Sequence, residues 1–106
     1  MAVLVTKFRR YRKETFRGFA DVYMSEWGVT INDVAILESD DRRWASVPNV
    51  PCRDDDGVVL RKENGKAVYK QTLEFCNRTM RYVLSDRVIA SLLETFPDAF
   101  DTDEQA

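Results

Sequence analysis

A chain of 106 residues, 44% hydrophobic and 32% charged, has the size and balance of one globular domain with a modest core, and excludes both a two-domain protein and a wholly disordered one. Histidine is absent, which removes the commonest general base, the Ser-His-Asp and Cys-His arrangements and every imidazole metal site. The formal charge is only −2, but it is unevenly placed: Lys7, Arg9, Arg10, Arg12, Lys13 and Arg17 crowd one end, and Glu94, Asp98, Asp101, Asp103 and Glu104 the other.

Val3 to Arg12 reads as a first strand whose second half is basic and aromatic, and Arg17-Gly18 turns the chain. In the second strand, Phe19 to Ser25, Ala20, Val22 and Met24 alternate with Phe19, Asp21 and Tyr23, the period of a half-buried strand. Glu26-Trp27-Gly28 reverses it. Val29 to Leu37 follows, but its apolar phase slips across Asn32-Asp33, from Val29/Ile31 to Val34/Ile36. A β-bulge there returns the apolar side chains to the buried face. Ser39-Asp40-Asp41 makes the next turn, and Arg42 to Val47 is a short fourth strand centred on Trp44 and closed by Pro48. These four runs predict an antiparallel meander.

Asn49 to Gly57 is a loop by composition. Its aspartates partly match an EF-hand pattern, but Cys52 stands at the first ligand position and the flanks are not helical, so solvated carboxylates and no metal are expected. The phrases Ile31-Asn32-Asp33-Val34-Ala35-Ile36-Leu37, Trp44-Ala45-Ser46-Val47-Pro48 and Asp54-Asp55-Asp56-Gly57 together make Gly18 to Gly57 resemble the stage V sporulation protein G family of septation regulators. The resemblance implies a small dimeric bacterial regulator that binds DNA or RNA. Where that family carries a Lys/Arg-rich segment after the proline, this chain has Asn49-Val50-Pro51-Cys52 and the single cation Arg53.

Val58 to Lys62 and Ala67 to Phe75 are predicted to pair across Glu63-Asn64-Gly65-Lys66, since Asn-Gly is the strongest two-residue hairpin signal. Asn77-Arg78 turns the chain into a further strand in which Met80, Tyr82 and Leu84 alternate with Arg81 and Val83. Ser85 then caps a helix along which Val88, Ile89, Leu92, Leu93 and Phe96 form one stripe, ended by Pro97. The fold class expected is α+β, an antiparallel meander with hairpins and one C-terminal helix packed on the sheet. The domain runs over 1–97 and an acidic, disordered tail over 98–106.

No carboxylate pair, phosphate loop or metal-ligand spacing rises above its turn context, so neither catalysis nor a cofactor is expected. The apolar run before Lys7 is too short for a signal sequence or a span, which predicts a cytoplasmic protein with free thiols at Cys52 and Cys76 and no membrane partner. What remains is a binding surface. Lys7, Arg9, Arg10, Tyr11, Arg12, Lys13 and Arg17, with Arg42, Arg43 and Arg53, combine cations for phosphates with aromatic rings for bases. A homodimer paired through a sheet edge is expected as well. The alternative is a protein-interaction module, such as a phage or accessory adaptor, without nucleic-acid binding, which the missing post-proline cations and the acidic tail would fit; the oppositely charged ends could also pair within or between chains.

Overall fold

Alternating side chains build the first three strands, and each places its apolar set against one helix. The structure, a computed structural model, describes residues 2–101 apart from the Gln71 side chain. Strand β1 (Val3–Lys13), β2 (Phe16–Met24), β3 (Val29–Ser39) and β4 (Arg42–Ser46) form an antiparallel sheet in the order β1-β2-β3-β4. Two short strands, β5 (Asn49–Pro51) and β6 (Tyr69–Gln71), pair separately, and helix α1 (Arg78–Thr95) follows. The class is α+β.

One face of the four-stranded sheet is covered by α1. Val3, Val5, Ala20, Val22, Val34 and Ile36 meet Leu84, Val88 and Leu92 there, all of them buried. Asn77 caps the helix, its side-chain oxygen accepting the Met80 N–H at 2.9 Å. The helix therefore begins seven residues before Ser85, and Met80 to Leu84 is its first part rather than a strand. Leu84, Val88 and Leu92 stand at four-residue intervals, so the helical stripe absorbs an apolar alternation that also reads as β. Ser85 lies within the helix and is buried.

The first reversal also moves. It lies at Glu14-Thr15, with Glu14 in the left-handed region, so Arg17 and Gly18 are strand residues. Gly18 is needed for packing: a Cβ would sit 2.4 Å from the Arg9 carbonyl and 2.5 Å from the Phe8 ring, which lies across it. The predicted bulge is present. Asn32 and Asp33 together oppose Asp21, Asp33 takes a φ of 61°, and the Asp21 carboxylate accepts its N–H at 3.2 Å.

Past Pro48 the chain forms an arm. The predicted strand at Val58 to Lys62 reduces to single bridges, Arg53 with Val59 and Arg61 with Ala67, and the run Ala67 to Phe75 is strand only over β6. Three backbone segments close a ring instead: Cys52 donates to Val68, Val68 to Leu60 and Leu60 to Cys52, at 2.8 to 3.0 Å. The Cα radius of gyration, 15.4 Å, exceeds the roughly 13 Å of a compact chain this long, because the arm projects. Val58 and Tyr69 are about three-fifths exposed on it.

After α1 the packed unit continues past Pro97. Ala99 and Phe100 are buried in the main core, so packing continues past the expected boundary at 97 as far as Phe100, since an aromatic ring there gains more from the core than from water. Residues 102–106 of the expected acidic tail lie outside the described residues. No helix among the described residues is long and apolar enough to cross a membrane.

Candidate nucleic-acid interface

A strict alternation along β1 would send Lys7, Arg9 and Tyr11 to the same side as Val3 and Val5, beneath the helix. The structure avoids this with an extra residue between Val5 and Lys7, a bulge opposite β2, after which Phe8 and Arg10 face α1. Lys7, Arg9, Tyr11 and Lys13 consequently lie on the open face. There Lys7 pairs with Asp21, Arg9 with Phe19 and Lys13 with Phe16.

The Tyr11 ring meets those of Phe16 and Phe19 at centroid distances of 6.3 and 5.7 Å, and Phe16 stacks on Phe19 at 5.9 Å. Lys7 and Lys13 have no ion-pair partner among the described residues. Arg9 is answered by Asp33 and, at 4.0 Å, by Asp21. The open face thus carries an aromatic platform with two unneutralised lysines along one edge.

Of the other predicted cations, Arg42 shares the open face and the rest do not. Arg10 donates to the carbonyls of Asp98 and Asp101, the latter at 2.8 Å, and Arg12 donates to Asp101 at 3.4 Å, so both clamp the turn after α1. The basic and acidic ends therefore meet within the chain. Arg17 and Arg43 grip opposite oxygens of Glu38, at 3.2 and 2.8 Å, and Arg43 also lies 4.2 Å from the Phe100 ring centroid. Burial pushes the Glu38 carboxyl up, but the hydrogen bonds and charges of Arg43 and Arg17 outweigh it and hold the group below its ordinary value. Arg42 lies over Trp44 at 5.7 Å, and Arg53 donates to the Gly57 carbonyl within the arm.

Beside the platform is a hollow of about 530 Å³, floored by Phe16, Phe19, Ala35 and Leu37 and walled by Val47, Pro48 and Val50. Asn32, Asp33, Ser46, Asn49 and Thr72 rim it. The Asn32 and Asn49 amides have no hydrogen-bond partner among the described residues. Sequence reasoning missed these rim residues, because a bulge and the Pro48 reversal bring them together and neither leaves a pattern in residue type. Phe19 was legible, since it falls opposite Ala20, Val22 and Met24.

Comparison with protein-family models, curated proteins and solved structures returns no match.

Proposed function

We propose that this chain is a small non-enzymatic nucleic-acid-binding regulatory protein, acting as a homodimer, as the resemblance over residues 18–57 implies. The observation that carries the reading is the bulge in β1, which sets Lys7, Arg9, Tyr11 and Lys13 together on the one sheet face that α1 leaves uncovered. Phosphates meet the lysines and bases meet the rings, the division of labour found in sequence-tolerant nucleic-acid binders. Arg42 reaches the same side through Trp44, while Arg10, Arg12, Arg17, Arg43 and Arg53 are engaged elsewhere.

A second copy is proposed to join through the projecting arm, where Val58, Leu60 and Tyr69 are exposed. Edge pairing is less favourable. The outward N–H of Val5 on β1 and of Ala45 on β4 already donate to Ser91 and Ser85 of the helix, each at 2.9 Å. Light scattering should report twice the chain mass for the wild type and the single mass for Val58→Asp/Leu60→Asp; a wild-type monomer at high micromolar concentration contradicts the dimer.

The binding test is a gel shift with short single-stranded and duplex DNA and RNA at low salt, wild type against Lys7→Glu/Lys13→Glu. Two lysines neutralising two phosphates predict a log-affinity against log-salt slope near −1.4 on single strands, at about −0.7 per contact. Equal binding by the double variant refutes the site. No binding by the wild type favours the adaptor reading, which the exposed arm and the internally answered arginines support.

A further inference from the structure

Charge alone makes a weak site here, because Arg9 is matched by Asp33 and Asp21, and among the described residues Lys7, Lys13 and the Trp44-stacked Arg42 are the cations left without an ion-pair partner on the open face. The rest of that face is built for something other than phosphate. Tyr11, Phe16 and Phe19 offer π surface, and the adjoining hollow adds an apolar floor, with amides, hydroxyls and the Asp33 carboxylate, already paired with Arg9, at its rim. A flat ring with polar edges and no charge fits such a site: rings stack on its faces, and Asn32 and Asn49, both with unused amide groups, reach its edge.

We infer that the open face is a nucleobase site selective for unpaired strands, with one base stacked on Tyr11 and Phe19, its neighbour in the hollow between Phe19 and Pro48, and the linking phosphates on Lys7 and Lys13. The inference rests on the nucleic-acid reading and narrows it to single strands. A base paired within a duplex hides its edge in the pair and its faces in the stack, and a broad four-stranded sheet enters neither groove. Thr72 contributes to the rim while its hydroxyl donates to the Pro48 carbonyl at 2.8 Å, which fixes the wall of the hollow against β6. Phe16 and Phe19 are only half-buried, so the site is accessible without disturbing the core beneath α1.

The experiment is fluorescence anisotropy at low salt with labelled oligo(dT), an abasic strand of equal length and a duplex of equal length. Bases supply the affinity in this account, so oligo(dT) should bind at least about tenfold more tightly than the other two, which corresponds to one lost stacking contact. Phe19→Ala should lose about 5- to 150-fold on oligo(dT) and nothing on the abasic strand, and Phe19→Trp should restore the affinity. Unchanged thermal melts of both variants confirm that the fold is intact. Equal affinity for oligo(dT) and the abasic strand, with Phe19→Ala silent, overturns the base site and leaves the phosphate reading standing. Duplex bound as tightly as oligo(dT) overturns the single-strand selectivity. Failure of the wild type to bind any of the three overturns both readings.

Discussion

Ser91, from the buried face of α1, accepts the backbone N–H of Val5 at 2.9 Å, tying the edge of β1 to a residue 86 positions away. Ser85 does the same for Ala45 on β4, so one helix satisfies a donor on each free edge of the sheet. Removing a hydroxyl leaves a buried N–H unmet, at about 1 to 3 kcal/mol. Alanine returns at most about 0.5 kcal/mol of helix propensity, so the loss wins. Ser91→Ala should therefore lower the melting temperature, by about 4 to 8 °C for each kcal/mol lost in a domain near this size. An unchanged melt would remove the edge-capping role.

Gly18 is held by close approach rather than by a turn. In Gly18→Ala the new methyl meets the Arg9 carbonyl and the Phe8 ring at once, and the backbone contact cannot swing away. Overpacking of this kind costs about 1 to 3 kcal/mol. Adding Phe8→Ala should not rescue it, because the carbonyl clash persists. Denaturant midpoints of the single and double variants check this, and a rescued double variant contradicts it.

The end of the core can be located by truncation. Deleting residues 102–106 should leave the melt near that of the wild type, whereas deleting 98–106 removes Ala99, Phe100 and the clamp that Arg10 and Arg12 make. Phe100→Ala alone should cost about 3 to 5 kcal/mol, the usual loss for a buried Phe. A silent deletion from residue 98 would return the boundary to Pro97.

Glu38 makes acid stability measurable. Its folded value lies below the ordinary 4.5, so the unfolded chain takes up its proton first as pH falls. The stabilisation it provides is full above about 4.5 and is lost as pH drops through the folded value. Urea midpoints of wild type and Glu38→Gln should differ at neutral pH and converge in acid. Parallel curves would mean that Arg17 and Arg43 do not hold the carboxylate.

What was legible in the sequence follows from where apolar residues stand. The slip from Ile31 to Val34 exposed the β3 bulge because hydrophobic side chains mark the phase on both sides. The bulge before Lys7 was invisible, since it opens a run of cations that carries no such phase, and it decides which cations share a face. Ser85 misled in the opposite way. Its residue type suits an N-cap, but the cap is Asn77, and Ser85 reaches across to β4, a contact set by tertiary packing that no local pattern encodes. Likewise the sequence groups the basic end as one surface, whereas Arg10 and Arg12 turn to the carbonyls of the final turn.

The most direct measurement is an amide chemical-shift map of the isotope-labelled protein titrated with oligo(dT) at low salt. Shifts are expected at Lys7, Arg9, Tyr11, Lys13, Phe16, Phe19, Asn32 and Asn49, with the amides of Val88 and Leu92 beneath the sheet unmoved. Shifts confined to α1 or to the arm around Arg53 to Lys66, or none at saturating oligonucleotide, would contradict it.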